Sequence, residues 1–466
     1  MKFNSFKSLL LFLSVVLLSS CLSTTDTTVV SADGSFSSLT FAADDSVSGI
    51  SSTAFTLVEY NAAIRDSMIV NLDSMVYKAD INDVIATFVF KSSAAIYLKP
   101  ETSKDSVAIS ATDTIDFTKS WRVVNYPSDG LVSHRKSYKV QVNVHQVQPK
   151  LYVWNNISSD IDSHNATSQK AIIADDVIYY YLNNGTDVYG YSSTDGKSWS
   201  ALTVTGLPVK TALNDMQFFN GKLFVTKDGD KIYSSTDKLN WAVKTNPDYN
   251  FKSLLYVLDN KLWAIVQSKS TTDLLFRFAS SVNGEDWIIR GEIPANFPVT
   301  DFASLAFASK TGKPKVIVSG GYSSANKAIR NSWSSEDGVY WVDFSEQNKS
   351  LDTLAVGASI ITYDKKLFVF GLRTDSAKIH FKQSIDDGLS WKKPDTTYNH
   401  LPKDFALRTY QSVVVLNPRA YDKTDSKAVI EGSNRIFIIG GKKATTNETL
   451  SDVWTGKLNS KNFLLQ

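Results

Sequence analysis

Apolar and polar positions alternate in short runs along most of the chain. FTLVEYN, SMIVNL, IATFVF, AAIYL, WRVVNY and YKVQVNVHQV set β-branched and aromatic residues into a two-residue period. That period marks half-buried strands. Turn signals such as Pro127-Ser128-Asp129-Gly130 lie between them, where short polar side chains bond their own backbone. Such runs between Phe36 and Gln148 predict a small β-sandwich. From Leu151 onward the pattern changes. An apolar run returns as VIYYYLNN, KLFVTKDG, KLWAIVQS, KVIVSGGY, KLFVFGLR and RIFIIGGK. After each of the first five comes a polar phrase ending in Trp: SSTDGKSW, SSTDKLNW, SSVNGEDW, SSEDGVYW and SIDDGLSW. The closing residues Trp199, Trp241, Trp287, Trp341 and Trp391 are spaced by 42, 46, 54 and 50 positions. That spacing is the length of one four-stranded propeller blade. The sixth run leads instead into DVWTGKLN, and RAYDKTDSKAVIEGSN before it reads as a long surface loop. The prediction is an all-β chain, with a sandwich over 36–148 and a six-bladed β-propeller over 149–466.

The phrase itself poses a choice between a repeated site and a repeated turn. Its Ser, Thr and Asp side chains can bond the N–H groups of their own turn. Gly196, Gly284, Gly338 and Gly388 suit a positive φ. The Trp would pack back onto the blade and bury a large apolar area. The phrase resembles the Asp-box, S-x-D-x-G-x-x-W, of sialidase-like propellers. Counted from the Trp, Asp386 alone holds the motif's Asp position, and Asp195, Asp237, Asn283 and Asp337 stand one residue later. Lys238 replaces the Gly in the second copy. The double-glycine strands SGGY and IGGK resemble kelch repeats instead. The Asp-box resemblance implies turns at the periphery, away from the active face. SIDDG and Lys227-Asp228-Gly229-Asp230 are rich in carboxylates, but neither has the alternate-position ligands and closing Glu of a strong calcium loop. The phrase is therefore read as a blade-closing turn, with no metal and no cofactor.

Composition changes the picture mainly at the amino end. Forty-nine Lys plus Arg face 47 Asp plus Glu, without a basic stripe, which argues against a nucleic-acid partner. Cys21 is the single cysteine, so an intramolecular disulfide and a Cys-based structural zinc site are both excluded. Lys2 and Lys7 precede an apolar stretch from Leu9 to Leu18, and Leu18-Ser19-Ser20-Cys21 follows. This has the shape of a signal peptide over 1–20, too short for a stable membrane span. Its ending resembles a bacterial lipobox, which implies cleavage before Cys21 and a diacylglycerol on its thiol. Each buried CH2 of an acyl chain adds about 0.8 kcal/mol of membrane affinity. LSTTDTTVVSADGSFSS, over roughly 21–35, lacks an apolar period and reads as a flexible tether. Leu22 after the cysteine favours the outer membrane, with surface and periplasmic faces both open.

Binding residues are sought in loops that do not repeat, since a rigid scaffold gives loop residues functional weight. At one mouth of the propeller the register selects Tyr249, Phe251, Phe297, Tyr322, Arg373, Tyr398 and His400, a set suited to stacking on sugars or peptide side chains. A sialidase-type enzyme would need three converging arginines with a Tyr–Glu pair and an Asp acid. Arg277, Arg290, Arg330, Arg373, Arg408, Arg419 and Arg435 are available, but no G-x-S-x-G or H-E-x-x-H motif is present. His134 and His145 stand isolated. The order from DSMVYKADINDVIATF to SYKVQVNV resembles Ig-like modules of Bacteroidota surface lipoproteins. With the lipobox, the linker VNVHQVQPKLYVW and the divergent Asp-box repeats, nearly the whole mature chain resembles a family of uncharacterised Bacteroidota lipoproteins. The resemblance implies an outer-membrane address, with an Ig-like spacer carrying the propeller. The function expected is non-catalytic recognition of a glycan or protein ligand. A glycan-cleaving enzyme and a purely structural scaffold are the alternatives.

Overall fold

The computed structural model describes residues 30–61, 66–103, 105–227, 229–270, 272–344, 355–373, 379–416 and 434–459. Cys21, the signal segment and nearly all of the expected loop over 419–434 lie outside the described residues. The chain divides into two compact units between Gln148 and Pro149.

The first unit contains two sheets. A three-stranded sheet joins Phe36–Phe41, Val84–Phe90 and Thr114–Ile115. A second sheet orders Thr56–Asn61, Asp66–Val70, Lys136–Gln141, Trp121–Tyr126, Ala95–Pro100 and Val107–Ala108. Val84–Phe90 shows how the pattern becomes structure: Val84, Ala86, Phe88 and Phe90 are buried while Thr87 and Val89 are exposed. The buried set meets Ile69, Leu98, Val123 and Val140 of the other sheet in one core. Each such side chain, fully buried, adds about 1.5–3 kcal/mol. Asp66–Val70 and Lys136–Gln141 pair in parallel. Beyond them the Asn71 amide closes the pair, donating to Asn143 O and accepting from Asn143 N–H.

The second unit consists, among the described residues, of six sheets. Sheet I holds Ser168–Ala174, Val177–Asn183, Val188–Ser193 and Ser200–Leu202. Sheet II holds Gln217–Phe219, Lys222–Lys227, Lys231–Ser235 and Ala242–Thr245. Sheet III holds Tyr249–Leu258, Lys261–Ser268, Phe276–Ser281 and Ile288–Glu292. Sheet IV holds Ala303–Ala308, Pro314–Ser319, Ser332–Ser335 and Val342–Asp343. Sheet V holds Ser359–Tyr363, Lys366–Arg373 and Ile379–Ser384. Sheet VI runs Ser412–Leu416, Arg435–Lys443, Thr449–Leu458 and then Tyr152–Ser158, with Arg408–Thr409 pairing beside its first strand. All neighbours within these sheets are antiparallel. The earliest strand of the unit thus pairs with its last, Tyr152 opposite Leu458.

The six apolar runs are the second strands. They read as continuous rather than alternating because both faces are covered. In Lys261–Ser268, the residues from Leu262 to Val266 are all buried. Hydrogen bonds link the first strands, and the turns that precede them, from one sheet to the next. Lys170 Nζ donates to Asn214 O (3.0 Å). Gln217 Nε2 and Ser304 Oγ both reach Leu255 O. Gly357 N–H donates to Asp301 O (3.0 Å). Ser359 Oγ donates to Gln411 O and Ala171 N–H to Ser412 Oγ. These links place the starts of the first strands at one end of the unit.

Candidate functional site

The five phrases fold into one turn between the third and fourth strand positions. In sheet I, Ser193 Oγ donates to Asp195 Oδ1 (3.0 Å) and accepts from Gly196 N–H (2.8 Å). Asp195 Oδ1 accepts from the N–H groups of Lys197 and Ser198, both at 2.8 Å. Asn283 and Asp337 take the same two N–H donors in their own turns. Asp237 accepts from Leu239 and Asn240, and Asp386 from Ser390 N–H. Burial opposes ionisation of Asp195, but the Ser198 and Lys197 N–H groups and the Ser193 hydroxyl outweigh it and hold the carboxyl below its usual range. Asp337 and Asp386 are held low by the same balance.

Seen this way the acid does not drift. Counted from the bonded serine, Ser193, Ser235, Ser281, Ser335 or Ser384, the acceptor always stands two residues on. What varies is one extra residue in sheet V, Asp387, which takes a left-handed φ of 56°. The offset counted from the Trp is therefore a length difference after the Asp, and all five acceptors perform one task.

Peripheral closure describes these turns incompletely, because each lies against the second strand of the preceding sheet. A Cβ on Gly196 would meet Phe437 at 2.3 Å, one on Gly284 would meet Phe224 at 2.3 Å, one on Gly338 Trp263 at 2.8 Å, and one on Gly388 Ile317 at 2.3 Å. Lys238 holds the same left-handed place, φ 66°, in sheet II. There the neighbour is Tyr181, whose hydroxyl donates to Lys238 O (2.7 Å). The Lys238 side chain is buried, with its ammonium on Asp175 Oδ2 (2.6 Å) and Thr236 O (3.0 Å). The closing tryptophans fill the same seams. Trp241 meets Tyr181 edge-on at 5.7 Å, Trp341 lies 6.0 Å from Tyr256, and Trp391 is packed with Ile317 and Leu367. Trp287 shares a core with Phe224 of sheet II, and Trp199 packs against the core that holds Phe437 of sheet VI. Sheet VI has no phrase. Its Trp454 bonds Asp452 Oδ2 and packs with Phe370 and Phe381 of sheet V.

The predicted mouth residues separate into three groups. Phe251 and Phe297 are core: Phe251 is 3 % and Phe297 1 % exposed, the latter boxed by Phe278, Trp333 and Trp341. Their apolar rings are worth more between sheets than at a wet rim, and at this burial neither ring can touch a ligand at the mouth. Tyr398 and His400 sit at the other end of the unit. Tyr398 O accepts from Tyr152 N–H, beside the Tyr152–Leu458 pair, and His400 Nδ1 bonds Thr396 O. Tyr249, Tyr322 and Arg373 lie at the end where first strands begin. Tyr249 is half-buried against the sheet II–III core, and Arg373 is exposed at the close of its strand.

Only Tyr322 joins a larger constellation. Asn214 stands at its hub: its carbonyl accepts from Lys170 (3.0 Å), and its side chain favours the charged form of Asp301. Burial pushes the Asp301 carboxyl above its usual range, while Asn214, Lys442 and Lys252 pull the other way. Tyr410 N–H donates to Gly357 O, and its ring lies against Gly357 Cα, where a Cβ would sit 2.7 Å away. Lys442 Nζ is 5.4 Å from the Tyr410 ring centroid. Burial raises the Tyr410 hydroxyl, and Asp301 and Tyr322 add to the effect. Lys170, Asn214, Lys252, Asp301, Tyr322, Tyr410 and Lys442 are all half-buried, as groups around a concave polar site are. Of these, Lys170 and Asn214 line a cavity of about 200 Å3, formed by all six first strands or the turns before them, with Asp215, Gln217, Ser304, Ser359 and Ser412 also on its wall. The Lys170 side chain lines this cavity, and burial lowers its ammonium against the pull of Asp215. A first-strand phase argument could have found these residues, since each stands in or just before a first strand or, for Tyr322 and Lys442, at the far end of a second.

The described arginines do not form a carboxylate clamp. Arg277 pairs with Asp273, Arg290 Nε bonds Ser280, and Arg408 is buried on Asp452 and Gly440 O. Arg419 lies outside the described residues. Among the described residues no group of three or more His, Cys, Asp or Glu side chains is arranged to hold a metal ion.

Together these features define an all-β protein with a β-propeller domain behind an amino-terminal β unit. The chain belongs to the DUF6242 family. Residues 148–466 match the DUF6242 beta propeller domain, and residues 22–142 match the DUF6242 N-terminal domain, a domain of unknown function. Among solved structures, a DUF4623 family protein from Bacteroides eggerthii is 12% identical with a TM-score of 0.41, covering 92% of this chain and 100% of its own. YjhT is 14% identical with a TM-score of 0.41, over 65% of this chain and 99% of its own. An α-L-arabinofuranosidase from Fusarium graminearum is 12% identical with a TM-score of 0.38, over 64% and 96%. A search of the curated proteins finds no match to the chain.

Proposed function

We propose that this chain is a lipid-anchored binding protein of the outer membrane, without catalysis of its own, that recognises a glycan or protein ligand at the propeller mouth. Cys21 carries the lipid, the segment after it is the tether, and the first unit is an Ig-like spacer. The six sheets are the blades of a six-bladed ring, sealed where Tyr152–Ser158 completes sheet VI. The observation that carries the binding reading is the cavity that every first strand or its preceding turn helps to line, with the polar side chains of Lys170, Asn214, Asp215, Gln217, Ser304, Ser359 and Ser412 on its wall. Polar groups in a concave mouth on a rigid ring suit recognition, because the scaffold holds them before the ligand arrives. A glycan and protein array probed with the full chain tests the reading. Binding that Tyr322→Ala and Asp301→Ala both abolish supports it. Binding that survives both substitutions places the ligand elsewhere, and an array without any hit on a folded sample rejects the reading.

A further inference from the structure

We infer that the flank of sheet IV carries a second ligand site, a groove for a neutral saccharide built on Tyr340. It is separate from the propeller mouth and does not rest on the mouth reading. Comparison of the five phrases singles it out. The residue before the closing Trp is Ser198, Asn240, Asp286, Tyr340 or Ser390. Asn240 donates to Asp237 Oδ2, Asp286 accepts from Asn283 Nδ2, and Ser390 donates to Asp386 Oδ2. These short side chains serve their own turns. Tyr340 gives its turn the backbone N–H alone. Its side chain is 80 % exposed and makes no hydrogen bond or ring contact among the described residues. The residue after the bonded serine departs in the same copy. Thr194, Thr236, Val282 and Ile385 are uncharged, whereas Glu336 carries a charge. The other four turns close without a phenol or a carboxylate at these places, so turn closure does not account for either.

Tyr340 and Glu336 line one groove of about 330 Å3 with Lys315, Val342 and Phe344. Ser334, Ser335 and Asp337 line it too, but Ser334 Oγ is spent on Val316 O and the other two on the turn. Lys315 Nζ lies 5.8 Å from the Phe344 ring centroid. Neither Lys315 nor Glu336 has an ion-pair or side-chain hydrogen-bond partner among the described residues. The free chemistry is an apolar wall with one cation, one anion and one phenol. A neutral sugar ring matches it. Its C–H face lies on an aromatic ring, while its hydroxyls donate to Glu336 and accept from Lys315. An acidic sugar would pair with Lys315 but bring its own charge against Glu336. A peptide adding a strand needs an open sheet edge. The edge strand here is Val342–Asp343, two residues long, and such short edges resist pairing. Small-ligand sites hold roughly 300–1,000 Å3, so the groove takes a short stretch of saccharide.

Titration calorimetry of the full chain tests this with the β-1,4-linked tetrasaccharides of glucose, mannose, xylose and galactose, and with trigalacturonate. At least one neutral tetrasaccharide is expected to bind, and to bind more tightly than trigalacturonate. Tyr340→Ser, which restores the residue of the first and fifth phrases, should weaken that binding by at least about tenfold. Tyr340→Phe keeps the ring and should lose less. Lys315→Met and Glu336→Gln should each weaken it by about threefold to tenfold. Asp301→Ala and Tyr322→Ala should leave it unchanged. Urea midpoints confirm that each variant folds. If no neutral tetrasaccharide binds, or if Tyr340→Ser leaves its binding unchanged, the site is overturned. Trigalacturonate binding that Glu336→Gln tightens would overturn the neutral assignment. Binding lost in Asp301→Ala and Tyr322→Ala but kept in Tyr340→Ser would remove this site and leave the mouth reading standing. Binding lost in Tyr340→Ser alone, beside an array with no hit that the mouth substitutions abolish, would remove the mouth reading and leave this site.

Discussion

Gly284 and Gly221 offer a controlled test of the idea that the repeated turn is a seam between sheets. Both are glycines in left-handed backbone, at φ 76° and 75°. A Cβ on Gly284 would meet Phe224 Cε1 at 2.3 Å and Cζ at 2.4 Å, whereas a Cβ on Gly221 meets nothing within 4 Å. Phe224 is 1 % exposed and held in the sheet II–III core, so its ring has little room to retreat. Alanine in a left-handed conformation costs about 1–2 kcal/mol, and the entropy removed from the unfolded chain returns about 0.4–1 kcal/mol. Both terms are common to Gly221→Ala and Gly284→Ala. Overpacking against Phe224 adds about 1–3 kcal/mol to Gly284→Ala alone. The expected difference between the variants is therefore about 1–3 kcal/mol. Urea unfolding followed by tryptophan fluorescence reads it, because nine of the ten tryptophans lie in the propeller unit. Phe224→Leu in the Gly284→Ala background should recover about 1 kcal/mol through coupling of the two sites. If Gly284→Ala is no less stable than Gly221→Ala, the turn is not docked on the neighbouring sheet and the seam argument fails.

The other predictions follow from the same geometry. Asp195, Asp337 and Asp386 have carboxyls lowered by folding, so their unfolded forms take up protons first as pH falls. Their stabilisation is full above the ordinary Asp range and is lost as pH drops through the lower folded values. Asp337→Asn should keep the turn, since Asn283 makes the same bonds, and should flatten the acid limb of urea midpoint against pH. Trp391→Ala should destabilise the propeller by about 3–5 kcal/mol because Trp391 is 1 % exposed. Trp199→Ala should cost less, since Trp199 is half-buried. On the proposed lipid anchor, with about 0.8 kcal/mol of membrane affinity per acyl CH2, Cys21→Ala should move the protein from the membrane to the soluble fraction, as read by fractionation and immunoblot. Retention of the variant in the membrane would reject the lipid at Cys21.

Much of the architecture is local physics and was legible from residues alone. Strand alternation in Val84–Phe90 and the continuous runs such as Lys261–Ser268 are set by which faces are covered, and each shows within one element. The Ser-x-Asp turns are equally local, because the acceptor is two residues from the serine and two or three from most of its N–H donors. Even here counting from Trp391 misplaced the register by one residue, since the extra length falls after the Asp and only the hydrogen bonds reveal it.

What the chain could not show by itself is which aromatic rings face a ligand and which face another sheet. Tyr249 and Phe251 stand two residues apart in one strand, yet Phe251 closes on Trp287 and Tyr249 stays half-buried. The phase of the strands marks where the polar residues of the mouth stand, as it did for Tyr322, but which of them meet is decided by tertiary structure. That structure gathers Lys170, Asn214, Lys252, Asp301, Tyr322, Tyr410 and Lys442 from five of the six sheets and their preceding turns. No periodicity records such a meeting. Alternation and turn chemistry depend on neighbours along the chain, whereas the charge and burial of Asp301 depend on strands that meet only when the sheets assemble around a common axis.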